Sequence, residues 1–257
     1  MTNGAPHGGA ASRKPTVTEH ARNPLGVAKV QRAMLVNLDR WVGEGVVPPP
    51  SRYPRIDRGE LITAAEHQKR FPEIPAMRHP GRNLRPPRVD YGPDFWTEGV
   101  FTVVPPRTGE RYRTMVPAFD ADGNGIGGIR LPELEVPLGT YQGWNPRSKE
   151  FGAPDFLTRF DGSFWAFEVT EAGRETVGDP RPSIEARYVD KKDYVDQVHR
   201  VAKRLIADRM LLEEDGKAYE DAAQRMVWPP APIDRTPFWR FEPVVETVEM
   251  PVAVPLF

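Results

Sequence analysis

The clearest periodicity in the chain lies between Asn23 and Gly43. Val27, Val30, Met34, Leu35, Leu38, Trp41 and Val42 recur at spacings of three and four and form one apolar stripe, while Lys29, Gln31, Arg32, Asn37, Asp39 and Arg40 take the other face. The pattern predicts a helix. Asn23 is a good N-cap, and Pro24 suits a first turn, where its missing N–H would be unpaired anyway. Gly43 and Gly45 can adopt the left-handed conformation that ends a helix. About 19 residues would make a rod of roughly 28 Å at 1.5 Å per residue. Fully burying each large apolar side chain contributes on the order of 1.5–3 kcal/mol. The stripe therefore needs a partner surface, and nothing before residue 23 supplies one.

Residues 51–100 are rich in proline and arginine, and the stretch from Arg78 to Arg88 is the most basic, reading as a solvated loop. Phe71 to Pro75 and Tyr91 to Trp96 read as apolar anchors pinning an extended chain to a surface. Beyond them the pattern turns to β. Phe101 to Val104 predicts a short strand ended by Pro105-Pro106, and Tyr112 to Phe119 a second. Asp120-Ala121-Asp122-Gly123-Asn124-Gly125 begins like a calcium-binding loop, but the twelfth position, which should be a bidentate glutamate, is Leu131. A tight Asp/Asn/Gly turn is the better reading. Leu134 and Val136 alternate with Glu133 and Glu135 as on an edge strand, where the two carboxylates would share a solvated face rather than form a glycosidase dyad. Tyr141, Trp144 and Asn145 around Gly143 would either wall a pocket or act as packing anchors.

The chain then becomes helical. Pro182, Ser183 and Glu185 open a short helix, and Asp190 caps a longer one with Tyr194, Val198, Val201, Leu205 and Ile206 as its stripe. Glu213-Glu214-Asp215 leads into a last helix through Met226. His199 falls near the apolar stripe, where packing or a surface role outranks a ligand role. The expected organisation is a histidine loop and helix over 1–50, a Pro-rich irregular and short-strand region over 51–178, a helical part over 179–228 and a Pro-rich tail over 229–257.

Composition narrows the chemistry. Apolar residues are 39%, and Pro 29 with Gly 22 points to long irregular segments. A net charge of −1 and the lack of an aromatic ladder in the basic stretch argue against a nucleic-acid partner. With no cysteine there is no disulfide, no thiolate zinc site and no cysteine nucleophile, although the compartment stays open. The chain shows no signal-peptide pattern and no run near the ~20 apolar residues of a transmembrane segment. The five histidines are scattered, with none paired at i, i+4, so no metal and no cofactor is expected.

One histidine has a suggestive setting. His7 sits in the loop Gly4-Ala5-Pro6-His7-Gly8-Gly9-Ala10-Ala11, just ahead of the predicted helix. By itself it is an ordinary loop histidine. No Gly-x-Ser-x-Gly occurs, and Gly162-Ser163-Phe164-Trp165 has bulky neighbours where a nucleophile elbow needs glycine. Four stretches carry a wider resemblance: His7-Gly8-Gly9-Ala10 with Asn23-Pro24; Met34 to Val42 through Pro48-Pro49-Pro50-Ser51-Arg52; Val116-Pro117 with Asp120 to Asn124 through Gly143-Trp144-Asn145; and Gly178-Asp179-Pro180-Arg181-Pro182-Ser183-Ile184-Glu185. They span roughly residues 3–227.

On these residues the chain resembles the C-terminal half of the alpha/beta hydrolase domain family, large and mostly uncharacterised esterase-like hydrolases. The resemblance implies an α/β fold, here the C-terminal portion of an α/β-hydrolase lacking most of its central sheet. It also implies that His7 is the base of a Ser-His-acid triad acting on a small-molecule ester through an acyl-serine intermediate. The family order is Ser, then acid, then His, so both missing members are expected upstream. Met1, in mid-loop six residues before His7, leads to the further expectation of an internal start. The tail after about residue 228 lies outside the resemblance. A non-catalytic module that docks a protein partner is the second expectation.

Overall fold

The computed structural model describes residues 17–80, 85–158 and 161–230. His7, its loop and the tail after Pro230 lie outside them. The elements, in chain order, are α1 (Val27–Glu44), β1 (Leu61–Thr63), α2 (Ala64–Arg70), β2 (Pro87–Asp90), α3 (Phe95–Glu98), β3 (Arg107–Arg111), β4 (Met115–Pro117), α4 (Pro132–Glu135), β5 (Gly139–Gln142), β6 (Ser163–Ala166), α5 (Glu171–Val177), α6 (Ile184–Arg187), α7 (Lys191–Ala207) and α8 (Glu213–Arg225). The strands form three separate antiparallel pairs, β1 with β4, β2 with β3, and β5 with β6. Among the described residues there is no parallel central sheet.

The core lies between α7, α8 and the β5–β6 hairpin. Tyr194, Val198, Val201, Ala202 and Leu205 of α7 meet Tyr219 and Ala223 of α8, with Leu131, Val136, Leu138, Phe167 and Ile184 on the hairpin side. The caps follow the sequence closely. Asp190 accepts a hydrogen bond from the Asp193 amide, and Ser183 accepts from that of Ala186. Gly216 of α8 faces the Ile206 side chain, so a Cβ there would collide with α7.

A fully buried arginine joins these layers. All donor nitrogens of Arg181 are engaged: Nε and Nη2 donate to the two Asp179 carboxylate oxygens at 2.9 and 2.6 Å, Nη1 to the Thr140 hydroxyl and the Trp165 carbonyl at 2.8 and 3.0 Å, and Nη2 also to the Ala166 carbonyl at 3.1 Å. The guanidinium thus ties both strands of the hairpin to the loop before α6. Its pairing is complete, which is the condition under which a buried charge is tolerable.

The Asp120–Gly125 turn forms as expected, and its side chains are all committed. Asp120 Oδ1 accepts from the amides of Asp122 and Asn124 at 3.0 and 2.9 Å, Asp120 Oδ2 accepts from Arg130 at 3.1 Å, and Asp122 is paired with Arg187. Asn124, fully buried, donates to the Gly139 carbonyl at 3.0 Å and accepts from the Tyr141 amide at 2.8 Å. Gly123 has φ +80°, and a Cβ on it would press into the Phe71 ring. Leu131, at the position a calcium loop would need for its last ligand, is in the hydrophobic core.

Several expectations need correction. Leu131 to Val136 is not an edge strand: Pro132 sits at the first position of α4, where a proline is tolerated, and helical turns replace the alternation. Phe101 to Val104 forms no strand, and the pairing residues lie later, in β3 and β4. Asn23 does not cap α1. Its side chain accepts from the Leu25 amide at 2.9 Å in a local turn, and Gly26 occupies the cap position.

The largest correction concerns the α1 stripe. Ala33 and Asn37 are the buried residues of this helix, Val30 is partly packed on the core, and the stripe faces solvent, with Leu35 65% and Val42 80% exposed. The helix is attached through its flank, roughly a third of a turn from the stripe at 3.6 residues per turn. Asn37 Nδ2 donates to the Arg209 carbonyl at 2.7 Å, Arg32 is paired with Asp215, and Lys29 Nζ lies 3.4 Å over the Tyr219 ring. Specific polar contacts to the α7–α8 unit set the rotation of α1, and the apolar face is left uncovered among the described residues.

Removing one half of the buried pair should be severe. Arg181→Met, which takes the guanidinium away from the buried Asp179 carboxylate, should lower stability by about 3–5 kcal/mol. Combining it with Asp179→Leu should recover part of that loss. Urea unfolding midpoints followed by far-ultraviolet circular dichroism read both effects.

Candidate functional site

The chain that leads away from the His7 loop enters the described structure at Val17 and is laid against the β5–β6 hairpin. The Val17 carbonyl accepts from the Ser148 amide at 2.8 Å, and the Glu19 amide donates to the Pro146 carbonyl at 2.9 Å. The Ala21 carbonyl accepts from the Phe164 amide at 2.9 Å, and the Asn23 amide donates to the Gly162 carbonyl at 3.1 Å. Asn145 is the clasp. Its Oδ1 accepts from the His20 amide at 3.1 Å, and its Nδ2 donates to the carbonyls of His20 and Gly162, both at 3.0 Å. Asn23 Nδ2 donates to the Gln142 carbonyl at 3.0 Å. Asn145 and Tyr141 are thus structural: both are buried, and Tyr141 packs on Phe164 at 4.8 Å between centroids.

A run of aromatic rings joins His20 of this segment, through two tryptophans, to a pair of histidines from elsewhere in the chain. The His20 ring lies 4.8 Å from that of Trp165, Trp165 lies 5.5 Å from Trp144, and Trp144 lies 5.8 Å from His79. His79 and His67 both pack on Phe71, at 5.1 and 5.0 Å, and their own centroids are 6.4 Å apart. Phe119 closes the group against His67 at 4.8 Å. The one sequence signal for it is His67 and Phe71 at i, i+4 along α2 and its cap. Burial holds all three imidazoles in the neutral form: His20 and His67 are each pushed down to about 4, and His79 is lowered as well. His20 Nε2 and Trp165 Nε1 are buried without a hydrogen-bond partner.

The other candidates separate. Arg78, expected in a solvated loop, is a cross-link paired with Glu19 and donating to the Pro154 carbonyl at 2.7 Å. Glu133 and Glu135 share no face. Burial raises the pKa of Glu133, with Lys29 opposing, whereas Glu135 pairs with Arg204 at 3.2 Å and with Arg130 at 3.6 Å. His199 Nδ1 is 2.7 Å from Glu220 and links α7 to α8 at the surface. Ser163 is fully buried on β6 and donates to the Trp144 carbonyl at 2.5 Å. Ser183 caps α6 and donates to Glu171 at 2.6 Å. Neither hydroxyl is paired with a histidine. No group of three or more His, Asp or Glu side chains among the described residues is arranged to hold a metal ion.

The sequence profile described as "alpha/beta hydrolase domain" matches residues 2–221. The chain belongs to the alpha/beta hydrolase domain family. The match takes in His7, the Asn145 clasp and the Arg181 pair, and it ends within α8. No curated protein and no solved structure is matched. Membership in this family points to a hydrolase, and no helix among the described residues is long and apolar enough to cross a membrane.

The neutral histidines give the family member a defined acid response. Unfolded imidazoles take up protons near pH 6.5, whereas folded His20 and His67 resist until about 4. Their contribution to stability should be complete above pH 6.5, decline as pH falls from there to about 4, and level off below. Urea midpoints across that range should fall with acidification, and His67→Gln should flatten the slope; an unchanged slope would contradict this.

Proposed function

We propose that this chain is the base-bearing part of a serine hydrolase acting on an ester or related acyl bond. His7 would take the proton from a serine hydroxyl as it attacks the substrate carbonyl, and return it to the departing alcohol. Water would then hydrolyse the acyl-serine by the same proton route. The observation that carries the reading is the family match over residues 2–221, which includes a histidine in a Gly-lined loop ahead of α1. The sequence holds no Gly-x-Ser-x-Gly, so in this reading the nucleophile and the acid come from protein outside these 257 residues. The exposed α1 stripe supports the same idea, because it offers an apolar surface of the kind a missing sheet would cover.

The second reading, a non-catalytic module for a protein partner, is favoured by that same stripe. Reconstitution separates the two. The pure chain should not turn over a p-nitrophenyl ester, since loss of the triad serine costs about 10⁶ in kcat. A serine in it labelled by a fluorophosphonate would overturn this expectation. Combined with a segment carrying Gly-x-Ser-x-Gly, from upstream in frame or from an adjacent gene, the chain should gain activity that His7→Ala abolishes. Leu35→Ser with Leu38→Ser should alter the stability of the isolated chain by no more than about 0.5 kcal/mol, as for exposed positions. The same pair should prevent reconstitution. A binding module would assemble normally with His7→Ala and show no turnover in any combination.

A further inference from the structure

Residues 85–112 form an arm that is almost independent of the body. Among the described residues, each hydrogen bond, ion pair and ring contact found for this segment joins two of its own residues. Its stem is the β2–β3 pair, and its tip is folded around Tyr91, Phe95 and Phe101, whose centroids are 4.7–5.0 Å apart. Tyr91 to Trp96 therefore do not pin the chain to the described body; they pack on one another. Gly92 is the one buried residue of the arm. Trp96 at the tip is 87% exposed, and Val104 is 78% exposed. A lone two-stranded sheet is marginal in water, and its unpaired edges invite another chain.

The charges are segregated along the arm. The stem carries Arg85, Arg88, Arg107 and Arg111 against two acids, Asp90 and Glu110, and keeps a net positive charge. Residues 91–106, the tip, carry Asp94 and Glu98 and no cation. Asp90 reaches back to Arg107 at 3.9 Å, while Asp94 and Glu98 have no cation partner among the described residues. One end is thus basic and the other acidic and aromatic. Two such arms related by a two-fold axis and lying antiparallel would set acid tip on basic stem twice. A parallel arrangement would oppose like charges.

We propose that the arm is a self-association device through which two copies of this chain pair antiparallel, with Asp94 and Glu98 of each against Arg88 and Arg111 of the other and Trp96 covered at the contact. A stable interface buries about 800 Å² on each partner, an area within reach of an arm most of whose residues are exposed. The acidic tip disfavours an anionic lipid surface as the occupant. The pairing is independent of the hydrolase reading, because it uses neither His7 nor the α1 stripe.

Charge reversal tests it on the full chain by sedimentation velocity, up to about 100 µM, a range that detects micromolar pairing. The wild-type chain should dimerise, and added salt should weaken the dimer. Arg88→Glu with Arg111→Glu, and separately Asp94→Lys with Glu98→Lys, should each weaken it about a hundredfold, since opposed like charges cost several kcal/mol. Mixing these two variants should restore a heterodimer, because each then meets its complement. Unchanged circular dichroism from α7 and α8 would show that the body remains folded, and the salt series on wild-type chain tests the charge argument without any substitution. A monomer at every concentration would overturn the proposal. So would a dimer indifferent to salt and to both reversals, or one lost only on Leu35→Glu with Leu38→Glu. A wild-type chain that stays monomeric but sediments with anionic vesicles would assign the arm to lipid instead.

Discussion

The described structure depends on one buried guanidinium. Arg181 is the point where the β5 hydroxyl of Thr140, two β6 carbonyls and the Asp179 carboxylate converge. The hairpin contributes one face of the core, and the loop after Gly178 contributes α6 and the approach to α7. Without the arginine, those carbonyls and that carboxylate would lose their charged donor inside the core, where water cannot replace it. A hydrophobic contact could hold the layers together, but it would not fix their register. Five directed donors do, because each accepts only one placement of its partner.

Around that centre the polar side chains do much of the positioning that a larger apolar core would otherwise do. Asn124 bridges the turn to β5, Asn145 holds the segment leading from the histidine loop against the hairpin, and Asn37 sets the rotation of α1 on the body. Each bonds main-chain groups far away in sequence. The low apolar content is consistent with this arrangement: a chain rich in proline and glycine has few regular ladders, and side-chain amides satisfy the backbone groups those ladders would have paired.

Legibility in the sequence followed the reach of the determining contact. The helices α6 and α7 were readable because caps and stripes are set by residues three or four apart, and Asp190, Ser183 and the Tyr194–Leu205 stripe lie where the pattern puts them; α8 was readable from its acidic first turn. The Asp120 turn was readable for the same reason. The orientation of α1 was not, since its stripe is real but long-range bonds to Arg209, Asp215 and Tyr219 decide which flank meets the body. Leu134 and Val136 alternate like a strand, yet four residues cannot distinguish that from one helical turn. The histidine cluster was hidden because it joins residues 20, 67 and 79 through aromatic partners from four separate stretches. His7, the residue on which the proposed chemistry rests, was found by family resemblance and lies outside the described residues.

The internal closure of the arm has a consequence for how this chain opens. Because residues 85–112 take no hydrogen bond from the rest of the described structure, the arm is a cooperative unit of its own. Its amides can exchange with solvent through a local opening that leaves the Arg181 centre intact. Such an opening would break any contact the arm makes without unfolding the body that carries it.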